Sequence, residues 1–114
     1  MPNGQINAAT FEELKQMSGA DFIGELIDTF LEDGPKLIWE LKTALKAGDA
    51  EAFRRAAHSL KSNGATFGAA KLAELARELE MIGKEGRLSE TGERVQALET
   101  SFAAVANELK GLRG

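Results

Sequence analysis

The sequence predicts an all-α protein, an antiparallel four-helix bundle with a short additional N-terminal helix. Three observations support that class. Ala, Leu, Glu and Lys are abundant, while the chain holds two Pro, one Trp and no Tyr, a composition that favours helix over strand. Apolar residues recur three and four positions apart in successive stretches, with no alternating run to compete. At 114 residues the chain is one domain with one core, so each apolar stripe must find its partner among the others.

Taken in order, residues 1–9 are polar and read as an N-terminal arm, leaving 10–114 as the helical domain. Thr10 is suited to cap a short helix, with Glu13 completing a capping box and Phe11, Leu14 and Met17 forming its apolar edge. Ser18 and Gly19 end it. Ile23, Leu26, Ile27 and Phe30 then follow helical spacing up to Gly34-Pro35, after which Leu37, Ile38, Leu41, Ala44 and Leu45 resume the stripe. The proline predicts a kinked helix or two abutting ones, closed by Gly48. Asp49 is a good N-cap for the next helix, which carries Gly64 on its apolar face and ends at Gly68. From 69 to about 84, Leu72, Leu75, Ala76, Leu79 and Ile82 form another stripe, closed by Gly83 and Gly86. The connection at Gly68 is so short that the helices flanking it must be antiparallel neighbours. Ser89 is expected to cap the last helix, whose Val95, Leu98, Phe102, Val105, Leu109 and Leu112 make a straight seam. Three other helices need partners for their own stripes, so that seam is expected to pack within one monomeric bundle rather than to dimerise.

The formal net charge is -4, which argues against nucleic-acid binding, since phosphate backbones are held by clustered Lys and Arg. There is no Cys, so disulfides, thiol nucleophiles and thiolate metal sites are excluded and a cytoplasmic location is expected. No stretch approaches the roughly 18 consecutive apolar residues of a membrane span, and the N-terminus does not read as a signal peptide.

Against this acidic background, Ala56 to Lys71 inverts the sign. It contains the single histidine, His58, and no Asp or Glu occurs between Ala52 and Ala70, whereas Arg54, Arg55, Lys61 and Lys71 fall in or beside it. At about 100° per residue, Arg54, Arg55, Lys61, Ser62 and Ala65 lie within about 60° of His58, and Phe53, Leu60, Gly64 and Phe67 lie opposite. His58 therefore points away from the apolar stripe. Cations one turn away suit an anion, and small side chains at Ser62 and Ala65 leave room for an acidic partner.

The segment H-S-L-K-S-N-G-A-T-F-G-A resembles the signature of histidine phosphotransfer domains, H-x-L-K-G-x-x-x-x-x-G-A. His58, Leu60, Lys61, Gly68 and Ala69 match in register. Ser62 departs from it, standing where glycine is common, but it is also small. The resemblance implies a phosphoryl carrier with His58 as phosphoacceptor, Lys61 neutralising the phosphoryl oxygens, and Glu80, twenty-two positions after the histidine, accepting from Nδ1-H so that Nε2 is free to react. Glu80 also reads as an ordinary surface acid on a helix that carries Glu74 and Glu78. The partners implied are a sensor or hybrid histidine kinase and the receiver domain of a response regulator. Mg²⁺ is expected on the receiver, and no cofactor on this chain. Arg54, Arg55, Ser62, Ala65, Phe67 and Gly68, with exposed residues of the short N-terminal helix, are the candidate partner contacts. Phe67 reads equally well as core.

Competing chemistries fit poorly. A di-iron bundle needs several inward Glu residues and paired Glu-x-x-His motifs, and no nucleophile elbow accompanies Ser59 or Ser62. No glycine-rich nucleotide loop is present, so autophosphorylation from ATP is not expected. The rival reading is a helical adaptor or inhibitor that binds a kinase or receiver without carrying phosphate.

Overall fold

The computed structural model describes residues 5–113. Helices α1 (Ala8–Ser18), α2 (Ala20–Ala47), α3 (Ala50–Thr66) and α4 (Ala70–Lys84) are followed by a single 3₁₀ turn at Leu88–Glu90 and by α5 (Arg94–Arg113). Helices α2 to α5 form the four-helix bundle, and α1 packs on α2. Fully buried Ile27, Leu41, Phe53, Leu60, Leu72, Leu79, Leu98, Val105 and Leu109 bring all four bundle helices into one core.

The N-cap of α1 lies three residues before the expected Thr10. It is Asn7, whose side-chain oxygen accepts from the Thr10 backbone N–H at 3.0 Å. Asn serves as well as Thr at this position, and Asn7 is further fixed because its own N–H donates to the Gly68 carbonyl at 2.9 Å. Ile6, from the expected polar arm, is buried. Residues 1–4 of that arm lie outside the described residues. Met17 does not join the apolar edge of α1: it is 85% exposed.

Helix α2 runs unbroken through Pro35 for 28 residues. At 1.5 Å per residue that is about 42 Å, and it sets the long dimension of the molecule, 41 Å. The proline removes one backbone donor from the helix interior, but burial of residues on both sides of it, Phe30, Ile38 and Leu41, keeps the helix in one piece. Gly34 is there for packing rather than for a turn. A Cβ at that position would collide with the Phe102 ring, which stacks on Phe30 with centroids 5.0 Å apart.

Gly48 ends α2 in the left-handed region, φ 72°, and Asp49 caps α3 by accepting from the Ala52 N–H at 3.0 Å. After the 3₁₀ turn, Thr91 is buried with its hydroxyl donating to the Leu88 carbonyl. The expected cap at Ser89 therefore lies inside the turn, and α5 starts only at Arg94. The α5 seam is buried through Leu109, whereas Leu112 is 48% exposed.

The α3–α4 pair is the most extensive packing in the molecule, and glycines set its spacing. A Cβ on Gly64 would sit 3.3 Å from the Ala73 backbone nitrogen, and one on Gly83 would sit 3.0 Å from the Arg54 Cα. Gly83 thus lies inside α4 as a contact surface instead of closing the helix. Gly68, φ 71°, makes the turn between the two.

Candidate functional site

The close α3–α4 approach places a side chain of one helix within hydrogen-bond reach of the other. His58, midway along α3, has its side chain 54% exposed, and its Nδ1 lies 2.8 Å from Glu80 Oε2 on α4. The other carboxylate oxygen of Glu80 lies 2.7 Å from Lys61 Nζ, one turn after His58. One carboxylate thus joins the imidazole and the ammonium, with one oxygen for each.

The carboxylate is the least exposed member at 16% for its side chain, against 33% for Lys61. The hydrogen bond from Lys61 holds the Glu80 carboxyl below the usual carboxylate range, and the His58 contact adds to it. Partial burial works in the opposite direction. Glu80 is therefore an anion at neutral pH and can only accept, so the Nδ1 facing it must carry the proton. In the neutral ring that leaves the lone pair on Nε2, the nitrogen not facing Glu80.

The other predicted positions divide into three groups. Ser62 and Ala65 are exposed on the His58 side of α3. Phe67 belongs to the core: it is 3% exposed and meets Phe30 edge-on at 5.4 Å. This settles its double reading against a partner contact, because burying a ring between α2 and the α3–α4 turn stabilises far more than exposing it. Gly68 is half-buried, with the Thr10 and Asn7 side chains 2.8 and 3.0 Å from where its Cβ would be, so the start of α1 occupies its surroundings.

The basic run is less positive in space than in sequence. Arg54 is engaged by Glu51 at 2.6 and 3.0 Å, one turn earlier on the same helix, and Lys61 by Glu80 from across the helix pair. Arg55 and Lys71 remain exposed. The sign inversion read along the chain missed both acids because one lies just outside the run and the other is brought in by folding. Gly83 was also missed as a residue of the site's support. Its one signal was a glycine set directly against the apolar stripe of α4, beside Ile82.

Among the described residues no helix is long and apolar enough to cross a membrane. Residues 25–108 match the family described as Hpt domain. The chain is 31% identical over 87 residues to the phosphorelay protein LuxU of Vibrio harveyi, covering 76% of each chain. It also matches the crystal structure of histidine-containing phosphotransfer protein B of Pseudomonas aeruginosa PAO1 with a TM-score of 0.91 and 32% identity, over 97% of this chain and 96% of the other.

Proposed function

The chain belongs to the Hpt domain family, and from that premise we propose that it carries a phosphoryl group on Nε2 of His58 between a histidine kinase and the aspartate of a receiver domain. The observation that supports this reading best is the His58–Glu80 contact, 2.8 Å from Nδ1, because it leaves the opposite nitrogen as the nucleophile.

The chemistry follows from the ring. The Nε2 lone pair attacks phosphorus of the receiver's aspartyl phosphate, the N–P bond forms, the P–O bond breaks, and its electron pair returns to the aspartate carboxylate. Nδ1 still holds its proton, so the phosphorylated ring carries a positive charge as it forms. Glu80 accepts from that N–H and stabilises the charge. In the reverse direction the same proton makes the imidazole a better leaving group. A hydrogen bond to a charged group contributes about 1.5–3 kcal/mol, equal to roughly 10- to 100-fold in rate.

Lys61 is the cation one turn from the reacting nitrogen and is suited to neutralise the phosphoryl oxygens. To reach them it must share or leave Glu80. Arg55, Ser62 and Ala65 offer an open surface around the ring, and Arg54 and Arg55 attract an acidic receiver, an effect weakened by salt. Mg²⁺, which compensates charge on the transferring group, is assigned to the receiver. This chain acts as a carrier without its own ATP chemistry, and we place it in the cytoplasm with its partners.

The test is transfer from a phosphorylated receiver, or from kinase and ATP. The reading predicts an acid-labile, base-stable label that is absent in His58→Ala. A label that persists in that variant, or no label with any receiver that phosphorylates other Hpt domains, contradicts it and favours a non-phosphorylated adaptor.

A further inference from the structure

We propose that Lys61 acts on the resting site as a positioning residue through Glu80: by occupying one oxygen of that carboxylate, it keeps His58 neutral and ready to attack. This rests on the relay reading for its purpose, but the claim concerns the unphosphorylated ring and can be tested without transfer.

The argument is electrostatic. Glu80 is an anion with its side chain only 16% exposed, and it faces two groups that could neutralise it, Lys61 Nζ at 2.7 Å and His58 Nδ1 at 2.8 Å. A partly desolvated carboxylate needs a positive partner. While the ammonium supplies that charge, the imidazole has to offer only a neutral N–H. Without Lys61, Glu80 keeps the longer-range attraction of Arg54, and the group in direct contact that can compensate it is His58, by binding a second proton on Nε2. An imidazolium has no lone pair there, so a lysine that never touched phosphate would still control the nucleophile.

The other charges around the ring do not replace Lys61. On α3, Arg54 is hydrogen-bonded to Glu51 and reaches Glu80 only through longer-range attraction, and Arg55 is exposed. On α4, Arg77 is held by Glu74 and Lys84 is exposed one turn beyond Glu80. Helix α2 brings Asp33, Lys36 and Glu40 beside Ser59 and Asn63, on the other flank of α3. Among these, Lys61 is the cation in contact with the Glu80 carboxylate.

The experiment follows the ¹⁵N signals of the His58 ring in the unphosphorylated protein across pH, in wild type, Lys61→Met, Lys61→Gln, Lys61→Arg, Glu80→Gln and the Lys61→Met/Glu80→Gln double variant. Either neutral replacement of Lys61 is expected to carry about three- to tenfold more imidazolium at a given alkaline pH than wild type, and Lys61→Arg to restore the wild-type pattern. With Glu80 already neutral, Lys61→Met should change little, because the lysine acts through the carboxylate. Wild-type signals in both neutral variants overturn the proposal. So does an effect of Lys61→Met that survives in full in the Glu80→Gln background, which would mean direct repulsion between ammonium and ring. Loss of the relay reading, a label that persists without His58, would leave these ring signals unchanged.

Discussion

The α3–α4 pair and the α2–α5 pair of this bundle are built by opposite means. Between α3 and α4, Gly64 and Gly83 let backbones meet at the limit of contact, and the pair carries the His58–Glu80–Lys61 arrangement on which the proposed chemistry depends. Between α2 and α5 the space is filled by rings, Phe30 stacked on Phe102, and alongside them an open apolar groove is rimmed by Trp39, itself 67% exposed. Rings supply buried area and therefore stability. Backbone contact supplies little area but fixes distance, and a hydrogen bond of 2.8 Å between side chains of two helices tolerates little drift. Both pairs contribute buried area, with Phe53, Leu60, Leu72 and Leu79 fully buried on α3 and α4, but the distance at the site is set by the glycine contacts of one pair.

That division can be broken by substitution. The largest effect should come from Phe102→Ala, which removes a ring seated against Gly34 and Phe30. We expect a loss of about 3–5 kcal/mol in denaturant unfolding but an unchanged transfer rate per folded molecule. If the rate falls with stability, the two pairs are not independent. Glu80→Gln should act mainly on the rate, lowering transfer about 10- to 100-fold with a loss of stability at neutral pH smaller than that of Phe102→Ala.

The same residue gives the pH dependence. Glu80 is held below its ordinary value, so its contribution to stability is fully present above the unfolded value of about 4.3 and is lost as pH falls through the lower folded one. The stability difference between wild type and Glu80→Gln should therefore be constant near neutrality and shrink in acid. A difference that grows toward low pH contradicts the assignment.

Gly83→Ala places a methyl group against the Arg54 backbone, which cannot swing aside as a side chain could. It is expected to cost about 1–3 kcal/mol and, unlike Phe102→Ala, to slow transfer per folded molecule by shifting Glu80 away from His58. A wild-type rate there would show that the glycine contact does not set the site. The smallest effect belongs to Asp49→Ala, a lost N-cap worth about 1 kcal/mol. It lies about two and a half turns from His58 and should leave transfer unchanged when stability and rate are measured together.

Periodicity made the helices legible because a stripe of Leu, Ile and Phe every three or four residues has one way to be buried. The outward position of His58 followed from the same arithmetic. Ends and punctuation were harder, because several residues compete for each role. Asn7 displaced Thr10 as a cap through a long-range bond to Gly68, and Ser89 lost its place to a 3₁₀ turn that buries Thr91 instead. Gly34 and Pro35 looked like a break and proved to be the seat of a ring contributed by α5, which lies far away along the chain. The family resemblance implied Lys61 for phosphate. Only folding shows that it is held by Glu80, because the register of α4 on α3 is set by glycine contacts that carry no charge pattern of their own.

The central claim is that the proton on Nδ1, held by Glu80, leaves Nε2 of His58 as the phosphorylated atom. The direct measurement is ³¹P–¹⁵N NMR of the phosphorylated protein with ¹⁵N-labelled histidine. The structure predicts phosphorus coupled to Nε2, with the Nδ1 proton still directed at Glu80. Phosphorus on Nδ1, or on a residue other than His58, would contradict it.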